Sequence, residues 1–163
     1  MPCEKLLDFL HESGVDFEFI DHPRAYAAEE VARKAGVEDR SFVKTVLVRL
    51  DGLMAMALVP ASFKVNFNLL REAAGATTIT LALEHEFEER FPDCSLGAMP
   101  PFGNLYAMDV YADGSLTEVG TIAFNAGTHR EVITMVWDDY EALVVPHLAR
   151  FAYQALREER CAW

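Results

Sequence analysis

The dipeptide Asp51-Gly52 stands between two apolar runs, residues 41–51 and 53–59. Asp-Gly tolerates the positive φ angles of a tight two-residue turn, and the twist of that turn matches two antiparallel strands. The runs are strand-length and rich in Val and Leu, and Pro60 closes the second. A hairpin over 41–59 is therefore predicted. A second pair, Asp113-Gly114, lies between the runs 105–111 and 118–124 and is read the same way. Further strands are expected at 16–20, 77–80 and 129–135. Helices are expected at 4–12, 26–34, towards the end of 64–74, and at 83–91, 137–145 and 148–157. About seven strands without a regular strand–helix–strand rhythm argue against a Rossmann-type sheet. The expected class is α+β with a mixed, mostly antiparallel sheet.

The chain has 163 residues, of which 52% are hydrophobic and 25% charged, enough apolar material for one core. One domain over 1–163 is expected. The N-terminus lacks the basic and apolar regions of a signal peptide, and no run reaches transmembrane length. A cytoplasmic protein without membrane contact is the expectation. Three cysteines, Cys3, Cys94 and Cys161, are far apart and form no C-x-x-C, which opposes a disulfide framework or zinc ribbon. Cys94 reads either as a small packed residue or as a reactive thiol. The net charge of −12 opposes a broad nucleic-acid surface, because such surfaces neutralise phosphates with Lys and Arg. Residues 24–49 depart from this, with six basic residues against four acidic ones. A local contact with a nucleic-acid end fits there.

Side chains alternate faces along a strand, so Lys44 shares one with Phe42, Val46, Val48 and Leu50. A lysine near the middle of an apolar face is costly unless it is paired, used, or able to snorkel to an edge. The stretch Gly97-Ala98-Met99-Pro100-Pro101-Phe102-Gly103 is too stiff for a helix and too apolar for a solvated tether. It reads as a pocket wall offering backbone groups, or as an ordinary Gly-Pro turn. His129 follows the turn Asn125-Ala126-Gly127-Thr128 and suits a proton carrier, an orienting donor or a structural histidine. His22, before Pro23, has the same alternatives, and Lys64 lies where it can flank a pocket. H-E-x-x-H, G-x-S-x-G and P-loop patterns are absent. No metal or cofactor is expected.

Four segments in order are distinctive together: Asp21-His22-Pro23 with Tyr26-Ala27-Ala28-Glu29-Glu30-Val31-Ala32, Val43-Lys44-Thr45-Val46, the 97–103 loop, and Phe124-Asn125-Ala126-Gly127-Thr128-His129. With Val59-Pro60-Ala61 and Lys64-Val65-Asn66, they resemble the YbaK/prolyl-tRNA-synthetase-associated domain family over nearly the whole chain. The resemblance implies a β-barrel-like mixed sheet flanked by helices. It also implies hydrolysis of mischarged aminoacyl-tRNA, especially tRNA(Pro) carrying alanine or cysteine. The 124–129 segment is most similar to the alanyl-tRNA(Pro) deacylases. Lys44, Asn125 and His129 are implied as catalytic residues. Gly97, Ala98, Met99, Pro100, Pro101, Gly103, Gly127, Thr128, His22 and Tyr26 are implied as substrate-binding. Ala27 departs from the family, whose members often carry threonine there.

An aminoacyl ester is activated, so positioning and electrostatics suffice for its hydrolysis. On this reading Lys44 orients the substrate and stabilises developing negative charge. Backbone groups of 97–101 hold the aminoacyl group, and Asn125 and His129 position substrate or water. The expected partner is the acceptor end of a mischarged tRNA, with a prolyl-tRNA synthetase as a further partner. A noncatalytic binding module of the same fold, or a hydrolase of another ester, stays open.

Overall fold

In the computed structural model, which describes residues 3–154, the chain opens with helix α1 (Glu4–Ser13), which buries Leu6 and Leu10 and ends at Gly14 in the left-handed conformation. Strand β1 (Glu18–Asp21) and helix α2 (Ala28–Ala35) follow. Strands β2 (Val43–Leu50) and β3 (Leu53–Pro60) form the expected hairpin, with Val43 opposite Pro60 and Leu50 opposite Leu53. At its tip Asp51 and Gly52 have φ of 50° and 84°, the positive pair such a turn requires. Next come β4 (Lys64–Val65), α3 (Phe67–Ala74), β5 (Ile79–Leu81) and α4 (Glu84–Phe87). The remainder is β6 (Asp109–Asp113), β7 (Thr121–Asn125), β8 (Glu131–Val136), α5 (Trp137–Val144), β9 (His147–Ala149) and β10 (Ala152–Tyr153).

The mixed α+β class holds, but the strands do not close into a barrel. Among the described residues they form a five-stranded sheet in the order β5-β2-β3-β6-β9, a three-stranded sheet β1-β8-β7, and the pair β10-β4. The β2–β3 hairpin is covered on both faces, which explains its near-continuous apolar sequence. Val43, Leu47, Met54, Met56 and Leu58 enter the main core with α1 and α5. Val48, Leu50, Ala55, Ala57 and Val59 pack with Leu70 of α3 and Phe151. A third cluster ties α2 to both larger sheets, through Val31, Ala32, Phe42, Ala123 and Val132. Phe42 and Ala123 form a parallel bridge, so β2 and β7 run on together towards Lys44 and Asn125.

Three expectations fail for identifiable reasons. Asp113-Gly114 is not a hairpin turn. β6 lies parallel to both β3 and β9, and Gly114–Glu118 coils into a 3-10 turn. Asp113 is buried, and its carboxylate accepts hydrogen bonds from Ser115 and from the Phe151 and Ala152 amides. Burial raises its pKa, but the Ser115 hydroxyl and the backbone N–H groups outweigh this and hold it below the usual value. These bonds draw the chain after α5 into β9 and β10, where a helix over 148–157 was expected; residues 155–157, like Cys161, lie outside the described region. The strand expected at 105–111 starts only at Asp109. Gly103 forms a tight turn there, its carbonyl accepting from the Tyr106 and Met108 amides, and a Cβ on it would meet Met108 O at 2.5 Å.

Candidate active site

The 125–129 turn joins β7 to β8, and three other segments converge on it, which makes it the candidate site. From the N-terminus, the Cys3 amide donates to Ala126 O at 2.9 Å. Gly127 makes this approach feasible: its φ is +103°, and a Cβ there would stand 2.9 Å from Cys3 Cβ. From the middle of the chain, Ser95 N–H donates to Gly127 O and Gly127 N–H to Ala98 O, at 2.8 and 3.0 Å. The third segment is 22–29, where His22 N–H donates to Arg130 O and Ala25 N–H to His129 O.

The 97–103 loop therefore does lie against the turn. Only its Gly97 edge is exposed; Ala98, Met99 and Phe102 belong to the interior, and Pro100, Pro101 and Gly103 are buried. Its backbone is largely engaged within the protein. Gly97 N–H points to Met99 Sδ, Ala98 N–H donates to Ser95 O, and Pro101 O accepts from the buried Tyr140 hydroxyl. Gly97, with φ of +86°, comes closest to the proposed chemistry: a Cβ on it would sit 3.5 Å from His129 Cε1.

His129 is held from both sides. Its Nε2–H donates to Leu96 O at 2.8 Å, and the Tyr26 ring lies tilted over it with centroids 4.6 Å apart. The carbonyl partner puts a proton on Nε2; in the neutral ring this leaves a lone pair on Nδ1, which is buried and has no protein partner. Asn125 Oδ1 is likewise buried without a donor. Thr128 turns its hydroxyl to Glu131 Oε1 and accepts from Arg130 N–H, so it stabilises the turn itself.

Lys44 stands at the second residue of β2, near the strand's start and not its middle, paired with Val59. It is half-buried, and its ammonium donates to Phe63 O. Burial lowers its pKa most; Glu29 in the first turn of α2 pulls it back up, and Lys64 lowers it further, with a net shift below the ordinary lysine value. The 22–29 segment lies between the two groups: Glu29 acts electrostatically on Lys44, and Tyr26 packs against His129. Glu29 and the Phe63 and Leu96 carbonyls were not singled out from sequence. Backbone acceptors leave no side-chain signal, and Glu29 entered only in the charge count of 24–49 and within the Tyr26–Ala32 segment.

The thiols are placed differently. Cys3 and Cys94 both lie against the Tyr106 hydroxyl, at 3.4 and 3.6 Å. Burial pushes the Cys94 thiol up to about 12, so it is a poor source of thiolate. Among the described residues no group of three His, Cys, Asp or Glu side chains is arranged to hold a metal ion. None of the described helices is long and apolar enough to cross a membrane. Two cavities of about 320 and 570 Å³ open at the Thr121–Val136 end of the three-stranded sheet, opposite the 125–129 turn.

The chain is similar to known proteins both in sequence and in fold. The Ser/Thr-tRNA deacylase ProXp-y of Escherichia coli is 26% identical over an alignment of 153 positions that covers 91% of each chain. A proline–tRNA ligase of Bacillus cereus is 24% identical over 108 residues; the match takes in 66% of this chain and only 19% of the ligase. In fold, a solved structure described as a candidate trans-editing enzyme for prolyl tRNA synthetase superposes with a TM-score of 0.81 at 19% identity, covering 93% of this chain and 96% of the other. The hypothetical protein APE2540 also gives 0.81, covering 91% and 99%. The sequence profile of the aminoacyl-tRNA editing domain matches residues 22–143, from the histidine before Pro23 through α5, and the chain belongs to that family.

Proposed function

We propose that this protein is a trans-editing deacylase that hydrolyses the ester between a mischarged amino acid and the terminal ribose of tRNA. Family membership and the deacylase relative support a hydrolase acting on aminoacyl-tRNA. The observation that carries the site assignment is the packing of His129 between Tyr26 and the Leu96–Gly97 edge, beside two acceptors that no protein donor fills. On this reading the Lys44 ammonium holds the terminal phosphate or ester region and offsets the negative charge that develops on the ester oxygen. Gly97 walls one side of the aminoacyl group, and Asn125 and His129 position it or the attacking water. No acyl-enzyme is required, in keeping with a Cys94 thiol that stays protonated.

Alanine on tRNA(Pro) is the proposed substrate. Serine or threonine esters are the second reading, favoured by the activity in the name of the Escherichia coli relative. Contact with tRNA is limited to the acceptor end, near residues 24–49, because the net charge of −12 opposes a wider surface. A prolyl-tRNA synthetase is the proposed partner and the cytoplasm the proposed place of action. The test is release of amino acid from tRNA charged with alanine, cysteine, serine, threonine or proline, with Lys44→Ala beside the natural protein. Alanine is expected to be released fastest. Preference for serine or threonine selects the second reading, and release of none of the five overturns the proposal in favour of a noncatalytic module.

A further inference from the structure

Three buried acceptor atoms lie at one end of the three-stranded sheet. His22 is 6% exposed, and its Nδ1–H donates to Pro23 O at 2.8 Å. In the neutral ring that leaves the Nε2 lone pair free, and Nε2 is buried without a partner. Asn125 Oδ1 and His129 Nδ1 are in the same condition. A buried polar group without a partner costs about 1–3 kcal/mol, so three together demand a physical account.

Register places all three residues at the same end of this sheet. Ile20, Val132 and Asn125 occupy one row across β1, β8 and β7. Residues opposite one another share a face, and Ile20 and Val132 face α2. Asn125 therefore faces α2 as well. His22 lies two residues beyond Ile20 on the same face, with its amide on Arg130 O. His129 is next along the chain from Arg130 and is bound through its carbonyl to Ala25.

All three atoms are acceptors, and none of the three brings a donor. A hydroxyl supplies one donor and leaves two acceptors unfilled. An ammonium has three N–H donors and no acceptor, which is the complement of this set. We infer that His22 Nε2, Asn125 Oδ1 and His129 Nδ1 bind the α-ammonium of the aminoacyl group, with His22 as a substrate-binding residue. The inference rests on the deacylase reading and adds to it which end of the amino acid is fixed and by which atoms. The side chain of the amino acid is then read elsewhere in the pocket, and a free amine becomes a condition of binding.

The test uses non-hydrolysable analogues of the charged tRNA end. The probes are 3′-alanylamido-3′-deoxyadenosine and its propionyl counterpart, which lacks only the amine. With the protein labelled by ¹⁵N-histidine, the alanyl analogue is expected to shift the unprotonated ring nitrogens of His22 and His129. The propionyl analogue is expected to leave them in place and to bind at least about tenfold more weakly, the loss of one or more charged hydrogen bonds. His22→Leu should erase most of that ratio and His22→Gln, which restores an acceptor, should recover part of it. Asn125→Leu must lower the same ratio from a different strand, so a misfolded His22 variant does not decide the matter. Equal affinity for the two analogues, no binding of either, or unmoved histidine nitrogens overturns the inference. Hydrolysis of charged tRNA is measured separately. An active enzyme whose histidines ignore the amine keeps its activity and loses this inference. A protein that binds the amine here but releases no amino acid keeps the inference and loses the activity.

Discussion

On one face of the 125–129 turn, the thiols of Cys3 and Cys94 and the hydroxyl of Tyr106 make a closed group. Each touches another, Cys3 reaches Asp93 as well, and the Lys5 ammonium lies 4.8 Å from the Tyr106 ring centroid. On the other face, His22, Asn125 and His129 each present a buried acceptor with no protein donor. Both groups are polar and both are assembled by the same backbone, because Cys3 binds Ala126 and His129 binds Ala25. They differ in whether the protein completes its own hydrogen bonds. A completed buried group holds chain segments together, and an incomplete one retains bonding capacity for something from outside. The first group contains the better nucleophile by residue type, but burial raises the pKa of the Cys94 thiol and of the Tyr106 hydroxyl, which leaves Cys94 a poor source of thiolate. The second contains the groups able to orient a substrate. If that contrast is right, substitutions on the two faces separate activity from stability.

The largest separation is expected at Lys44, outside both groups and linked to the 22–29 segment through Glu29. Lys44→Ala should lower kcat/KM for deacylation about 100-fold or more, the usual loss when a group that stabilises developing charge is removed. Its unfolding midpoint should move little, because a half-buried ammonium is costly to the folded state. Equal activity of the two proteins sinks the assigned role. The same lysine sets an alkaline limb. Only the ammonium form can offset negative charge, so enzymatic hydrolysis should fall as pH rises through a pKa below the ordinary lysine value of 10.5. The limb is read after subtracting spontaneous ester hydrolysis, and it should be absent from the residual activity of Lys44→Ala.

Gly127→Ala should affect both faces together. The added Cβ meets Cys3 at 2.9 Å from a backbone φ of +103°, and neither conflict can be relieved without moving the turn. A stability loss of about 2 kcal/mol is expected from strain and overpacking combined. Activity should fall too, because His129 and Asn125 move with the turn. Urea unfolding and deacylation on the same sample check this. A stable but inactive protein would show that Gly127 contacts substrate and does not merely permit the turn.

Part of this was readable from residues alone. The Asp51-Gly52 hairpin, α1, α5 and the β7–β8 turn follow from local turn chemistry and periodicity, where neighbours in sequence are neighbours in space. Asp113-Gly114 misled because the same dipeptide also starts a 3-10 turn, and its carboxylate binds amides 38 and 39 residues away. Nothing local records that partner. Lys44 stood out because a charge interrupts an apolar strand, and the 97–103 loop because its glycines and prolines exclude regular structure. The role of that loop was less legible. Its interior residues fill the core, and its exposed Gly97 edge lies beside His129. The unpaired state of His22, Asn125 and His129 was not legible at all, since an unfilled acceptor is defined by what three separate segments fail to bring to it.

Tyr106→Phe tests the complete side. It removes the hydroxyl shared by two thiols and leaves the ring packed against Phe91 at 4.3 Å. Thiols are weak hydrogen-bonding partners, so the cost should be about 1 kcal/mol or less in unfolding free energy. Deacylation should be unchanged. A tenfold loss of activity without loss of stability would join the two faces into one functional unit.

The smallest effect is expected at Cys94, and it bears most directly on mechanism. With the thiol pKa at about 12, the thiolate fraction at neutral pH is on the order of one in 10⁵. A nucleophile that is almost never ionised, with no base among its described partners to ionise it, cannot carry an acyl-enzyme route efficiently. Cys94→Ser keeps a small polar atom beside the Tyr106 hydroxyl, so both the fold and kcat/KM should change by less than about twofold. Burst kinetics provide a second reading: with no covalent intermediate, amino acid release from charged tRNA should start without a burst. A burst in the natural protein that disappears in Cys94→Ser would reverse the contrast, making the closed thiol group the reactive centre and the open acceptors its substrate clamp.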